Sequence, residues 1–455
     1  MNRKTVGLFL IAAIFLSCRP GQFRNSGEQE NRTGQVSGEM FLDQRFEYFT
    51  RNKVNGGEPI TIKLWINEDW SDSYALLVEE YRKYRPNVSF EIKEFSWVSY
   101  WLRMGTAMQT GAGPDIFHMH PYHLLDYMEY LAPLPEEHFP EAVMKDLFSD
   151  IEALKIGGNY YCFNLGSTTG GIFYNRKLWQ EAGLGDKDIP RTWEELRTTA
   201  MALTRRDEEG NFLIEGFNFN NNADIFLMAL QLERGQPLFT PDGTRTNFNV
   251  EENIANVQFL RDLVFQDKLG TFGGEPQEIL LGTGRAAMIF GWPWISNFLE
   301  RNYPEVEFEF FRIPNWDLSV PPAYNYNNFE LSFCINAASG EGQKNAAYDL
   351  LLFYLCNDKV LLKVSDQGKL VPSKISLLET HYSDLDEVVK IQAEYLDSTE
   401  FLGIRPNSVF NYLQTVFAAN IMNVALPIKQ MMESTDAETE KILLPYIGRR
   451  YGSQE

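Results

Sequence analysis

The chain has 455 residues, more than one hydrophobic core usually supports, so two compact units are expected. An apolar fraction of 44% and a charged fraction of 23% are those of a soluble globular protein. The formal net charge of −21 argues against nucleic acid or an anionic membrane surface as the principal partner.

Arg3 and Lys4 precede an apolar run over residues 6–16, and Ser17 and Cys18 follow it. Such a run is too short to cross a bilayer but fits the central region of a secretory signal. Residues 1–17 therefore read as a signal peptide. A cysteine directly after it resembles a lipobox, which implies that Cys18 is acylated and becomes the first mature residue. Residues 18–57 are polar with few apolar anchors, as a flexible tether would be.

Ile60-Thr61-Ile62-Lys63-Leu64-Trp65-Ile66 alternates as a strand. Tyr74, Leu77, Val78 and Tyr81 repeat at helical spacing until Pro86, and Val88, Phe90 and Ile92 alternate again. That βαβ unit predicts parallel strands with a right-handed crossover. A helix through Trp101, Leu102 and Met104 ends near Gly111, and Asp115-Ile116-Phe117 opens a third strand. After the turn at Gly157-Gly158-Asn159, strands are predicted over residues 160–163 and 172–174, with a polar break at Gly166-Ser167-Thr168-Thr169 between them. A short helix follows from Arg176 and stops at Gly183; Thr192, three residues before Glu195, signals a capping box on the next helix. Strands and helices go on alternating, so the class is α/β.

Residues 157–196 resemble the signature of extracellular solute-binding proteins of family 1, the sugar-type receptors of ABC importers. Other stretches fit that family in order: TGAGPDIF at 110–117, GTGRAAM at 282–288, ELSFCINAAS at 330–339, Gly368-Lys369-Leu370-Val371-Pro372, and Arg405-Pro406 with Tyr412. The resemblance implies a two-lobe, type II periplasmic-binding-protein-like fold, with parallel-rich sheets, flanking helices and a ligand cleft. Lobe one would be 58–166 plus 332–369, and lobe two 167–331 plus 370–455. It also places Cys162 and Cys334 in neighbouring hinge segments, which leaves one disulfide open. Three buried thiols, with Cys356 the third, is the preferred reading. No CxxC or Cys/His spacing points to a metal.

Asp69 and Trp70 follow the first strand, where a carboxylate and an indole suit sugar hydroxyls and a pyranose face; the same cluster also suits a helix N-terminus. His118, Met119, His120 and His123 crowd behind the third strand. The family position favours Met119 and His120 as ligand contacts over a metal site. The resemblance turns Thr168 towards the ligand. Asn221 and Asn222, in the amide-rich run 218–222, read equally as polyol contacts or as an Asx-stabilised turn. Trp292 and Trp294 bracket Pro293 at the end of a returning strand; one of them should stack on the ligand, and which one stays open. Tyr412 and Arg405 are weaker candidates, and residues 324–328 could be a binding loop or a polar turn.

The reading is a lipid-anchored, monomeric receptor. It captures a mono- or oligosaccharide by hinge closure and hands it to ABC permease subunits, without cofactor, metal or catalysis. One alternative is a same-fold receptor for an anion, polyamine or peptide. Another is a secreted glycan hydrolase using Asp69 and Glu330, although no nucleophile motif accompanies them.

Overall fold

The computed structural model describes residues 41–43, 45–46, 48–49, 53–318 and 325–447. The signal segment, Cys18 and the tether as far as residue 40 lie outside the described residues, as does Tyr324. Among the described residues no helix is long and apolar enough to cross a membrane.

The predicted βαβ unit is present. Strand β1 (Ile60–Asn67) leads into helix α1 (Ser71–Arg82) and returns as β2 (Val88–Phe95). The two strands pair in parallel along their whole length, from Ile60 opposite Val88 to Asn67 opposite Phe95. Helix α2 (Trp97–Gln109) leads to β3 (Ile116–His118), which lies parallel to β1 on its other side. This first sheet is completed by β9 (Phe333–Ile335), antiparallel to β3. Its core gathers Ile62, Leu64, Leu77 and Tyr81 with Leu350 and Phe353 of a later helix, α7 (Glu341–Cys356). A one-turn helix, α3 (Pro121–Leu124), follows β3.

The crossing region corrects the sequence reading. Residues 160–163 form no strand, and the small polar residues read as a break belong to β4 (Asn164–Thr169). Gly166 is small because other backbone comes close: a Cβ there would lie 2.7 Å from Leu370 Cβ and 2.8 Å from the Val371 carbonyl. The chain crosses instead at Gly170, before β5 (Gly171–Asn175). Around β4 a second sheet forms, in the order β10 (Val371–Pro372), β4, β8 (Asn325–Leu331), β11 (Thr399–Phe401). The amide-rich residues 325–328 are thus a central strand, neither loop nor turn. Asn325 donates to Thr169 Oγ1 at 3.1 Å and Asn327 to Thr399 Oγ1 at 2.8 Å.

The third sheet departs from the parallel-rich expectation. Strand β5 is flanked by β6 (Met288–Gly291) and β7 (Phe308–Arg312), both antiparallel to it. No helical crossover joins β5 to either strand in the parallel sense, so neither meets the βαβ condition for parallel pairing. Helix α4 (Trp193–Leu203) starts as predicted, with Thr192 Oγ1 accepting from Glu195 N–H at 3.1 Å. The Glu195 carboxylate in turn accepts the Arg191 N–H at 2.7 Å, and the Thr192 N–H also acts on it. Behind this sheet lies α5 (Ala223–Glu233), every residue of which is buried. Helices α6 (Ile295–Asn302), α8 (Asp358–Gly368), α9 (Glu387–Tyr395) and α10 (Asn407–Tyr412) complete the frame of the site.

Candidate functional site

Side chains from all three sheets meet where β3 ends against β8. Successive residues of β3 point to opposite faces. Phe117 and Met119 enter one apolar core, and Ile116 and His118 face the other. Met119 is wholly buried in that core, so it leaves the candidate surface, contrary to expectation. His118 Nε2 lies 2.6 Å from Glu330 Oε1 on β8, under Trp70, Tyr74 and Tyr100. Two residues on, His120 Nε2 lies 3.0 Å from the Asn328 side-chain amide, also on β8, while its Nδ1 accepts the Tyr122 N–H at 3.3 Å. Burial, followed by the neighbouring His123 and His118, holds the His120 pKa well below the usual value. Burial alone lowers His123 to about 3. Both rings are therefore neutral at pH 7. His123 stacks on Trp101 with centroids 3.6 Å apart, and Trp97 meets His120 edge-on at 5.2 Å. The three histidines serve three different partners. No group of three or more His, Cys, Asp or Glu among the described residues is arranged to hold a metal ion.

Opposite them stand residues carried by the third sheet and its helices. Tyr122 stacks on Phe410 of α10, with centroids 3.6 Å apart. Trp292, at the end of β6, packs against Tyr326 of β8 and Phe290. Trp294 lies on the outer side of that turn and is 50% exposed. Asp224, in the first turn of α5, is 2% exposed, and its charge acts on both Tyr122 and Tyr326. Burial raises its pKa to about 7, against the pull of the Ile225 and Asp224 backbone N–H groups. No cation faces this carboxyl among the described residues.

The other sequence candidates are placed differently. Trp70 lies in the core packed on the first sheet, its ring against Gly368, where a Cβ would come within 2.3 Å of Trp70 Cη2. Asp69 is exposed, and its carbonyl accepts from Gln367 Nε2 at 2.5 Å. Thr168 donates its hydroxyl to Gln392 of α9 at 3.1 Å. Asn222 is held by Gln277 at 2.8 Å, and Asn218 Oδ1 accepts Asn220 N–H at 3.0 Å, which makes 218–222 the Asx-stabilised turn. Asn221 is exposed at the tip of that turn. Tyr412 sits near Lys441, and Phe410, two residues earlier, makes the contact with Tyr122. Sequence reasoning missed Trp97, Trp101, Tyr122, Asp224 and Phe410; Tyr326 lay in the run 324–328, left open between a binding loop and a polar turn. Only the position of Tyr122, just after a strand end and between two histidines, was a usable signal.

The arrangement offers aromatic faces, neutral amides and imidazoles, and one buried carboxyl. Aromatic faces hold the C–H side of a sugar ring, while amides and a carboxyl exchange hydrogen bonds with its hydroxyls. The dyad needed for hydrolysis is not assembled: Glu330 is bound to His118, and Asp69 is an exposed residue in the turn before α1.

The profile of the family described as bacterial extracellular solute-binding protein matches residues 67–333. No curated protein sequence matches the chain. Among solved structures, an ABC-transporter solute-binding protein from Thermotoga lettingae bound with α-D-tagatose is similar over 84% of this chain and 99% of its own, with TM-score 0.70 and 18% identity. The maltose/maltodextrin-binding domain from Bdellovibrio bacteriovorus, bound to maltotriose, gives the same coverage, TM-score and identity. An ABC substrate-binding protein from Listeria monocytogenes in complex with cycloalternan is similar over 84% of this chain and 99% of its own, at TM-score 0.67 and 16% identity.

Proposed function

We propose that this chain, which belongs to the bacterial extracellular solute-binding proteins, is the tethered receptor of an ABC importer and binds a carbohydrate between its two lobes. The observation that carries the carbohydrate is the gathering of aromatic side chains and uncharged polar groups where β3 ends against β8. Trp97 meets His120 and Trp101 stacks on His123, Tyr122 stacks on Phe410, Trp292 packs on Tyr326, and His120 meets Asn328. The sugars bound by the similar structures support the same class. Lobe one is taken as 58–166 plus 332–369 and lobe two as 167–331 plus 370–455, with acylated Cys18 holding the chain at the membrane. Closure is favoured by ligand because only the shut form lets both lobes touch it, and the permease then reads the shut form. The reading is binding without catalysis. Of the sequence-predicted residues we retain His120, Trp292 and, at the tip of its turn, Asn221, and we add Asp224.

The test is tryptophan emission and small-angle scattering of the full chain against tagatose, maltotriose and cycloalternan. A saturable emission change with a fall in radius of gyration is expected for at least one sugar. Flat curves across these and a wider sugar panel would sink the reading. A cationic solute such as a polyamine is the specific rival, because Asp224 has no cation opposite it; spermidine in the same titration separates the two.

A further inference from the structure

Cys162 and Cys334 are both wholly buried free thiols in the same apolar core, close enough that the Cys162 side chain acts on the Cys334 thiol. The backbone beside them is fixed as well: Ser332 N–H donates to the Phe163 carbonyl at 2.9 Å, and Phe163 N–H donates to Ser332 Oγ at 3.0 Å. Cys162 stands just before β4 and Cys334 lies on β9, just after β8, so they flank the two long strands that connect the bodies. Cys356 is the remaining buried cysteine and lies in the other core of the first body, on α7.

We infer that Cys162 and Cys334 are joined by a disulfide in the exported protein, closing a loop that holds the third sheet and α5. An extracellular family meets an oxidising compartment, where adjacent thiols are oxidised and stay so. Burial, and then the Cys162 side chain, raise the Cys334 thiol well above its usual pKa. A protonated buried thiol is a poor nucleophile, so the bond forms during folding, before this core closes. A thiolate of the pair attacks one sulfur of the disulfide in an extracytoplasmic thiol–disulfide oxidoreductase, which releases its other sulfur as thiolate. The second cysteine then attacks the first cysteine's sulfur, forms the Cys162–Cys334 bond and expels the oxidoreductase's remaining thiolate. Two electrons and the two thiol protons pass to the oxidoreductase. Both sulfurs belong to the first body, so the bond clamps the roots of the crossing strands and leaves the crossing at Gly170 free to bend.

The experiment compares full-length protein recovered after export with reduced, denatured protein refolded in a glutathione/glutathione-disulfide buffer. Each sample is alkylated with iodoacetamide under denaturing conditions without reductant, digested and mapped by mass spectrometry. Expected are a cross-linked peptide pair carrying Cys162 and Cys334, and an alkylated Cys356, in both samples. Cys356→Ser should keep the pair, and Cys162→Ser should abolish it and leave Cys334 alkylated. Reductant should lower the thermal midpoint of wild type by several degrees and leave that of Cys162→Ser unmoved. Full alkylation of all three cysteines in either sample, or a link involving Cys356, overturns the inference.

Discussion

Replacing Asp224 by Asn should stabilise the protein above neutral pH while weakening ligand binding. The carboxyl is 2% exposed and its pKa is raised to about 7, chiefly by burial, against a usual value of about 3.9. A shift of about three units at 1.36 kcal/mol per unit is about 4 kcal/mol. The sign follows from proton counting. Between about pH 4 and pH 7 the folded protein keeps a proton that the unfolded chain has released, so this group's contribution falls as pH rises. Nothing is lost below the unfolded pKa, about 1.5 kcal/mol is lost at pH 5, and about 4 kcal/mol by pH 8. Asn keeps the shape and removes the ionisation. At roughly 2 °C per kcal/mol for a large domain, Asp224→Asn should melt about 8 °C above wild type at pH 8 and about 3 °C above it at pH 5. Differential scanning calorimetry at the two pH values reads the difference directly. In the same variant, loss of a charge-assisted hydrogen bond to a ligand hydroxyl should cost about 1.5–3 kcal/mol, roughly 10- to 100-fold in Kd. A melting difference equal at both pH values would refute the argument, because a purely steric effect of the amide does not titrate.

Three further outcomes follow from particular contacts. Glu330→Ala leaves His118 Nε2 without its partner beside an Nδ1 that already has none, and should lower stability by about 2–3 kcal/mol, seen as a shifted urea midpoint. Gly171→Val puts a Cβ 2.4 Å from Phe310 Cζ and 2.6 Å from the Phe311 carbonyl; a cost of about 1–3 kcal/mol should appear in the same assay, and an unchanged midpoint would contradict the close packing. Trp292→Ala should weaken the best-binding sugar at least ~10-fold, an aromatic side chain being worth about 1.5–3 kcal/mol when buried against ligand. Trp294→Ala, on the exposed side of the same turn, should change calorimetric affinity by less than ~2-fold.

The first sheet was legible because its period-2 and helical-period segments are long and abut in sequence: residues 60–66, 74–81 and 88–92 specify β1, α1 and β2 unaided. The crossing was misread for a physical reason. Gly166-Ser167-Thr168-Thr169 has the composition of a turn, yet it is a strand because β8 and β10 supply its ladder from more than 150 residues away in the chain. Residues 325–328 failed in the same way: asparagine-rich sequence reads as loop unless its partners, Thr169, Thr399 and His120, are known. The family resemblance pointed to the region where β3 ends against β8, but single residues slipped. Met119 lost to strand alternation, Trp70 to the core packed on the first sheet, and Tyr412 to Phe410 two positions away. Asp224 was invisible because an acidic residue in a first helical turn is ordinary in sequence; its burial is a property of the packed helix alone.

On the proposed two-lobe reading, the contacts also limit where the molecule would bend. His118 binds Glu330 and His120 meets Asn328, so two positions of β8, two residues apart, are tied to the end of β3. Register carries the constraint across to β4, because Asn328 lies opposite Thr168 and Glu330 opposite Gly166. On the two-lobe reading, residues 164–168 and 328–331 therefore go with the first sheet, which moves the expected boundaries from 166/167 and 331/332 to 168/169 and 327/328. The flexing stretch of the first crossing shrinks to Thr169-Gly170-Gly171, and that of the second to Asn325-Tyr326-Asn327. Gly170 has to be glycine because any Cβ there would strike Phe290 of β6 at 2.2 Å. Other links join the two bodies without such anchoring: the Tyr122–Phe410 stack, and the 2.7 Å bond from Asn297 of α6 to the Gln367 carbonyl of α8. In the proposed opening these two would part, as would the bonds of Asp126 to Asn407 N–H and to the Tyr446 hydroxyl, while His118–Glu330 stays intact. A ligand that spans from Trp97 and His120 to Asp224 and Trp292 would add its contacts where the Tyr122–Phe410 stack already is. It would thereby stabilise the shut form without having to create it.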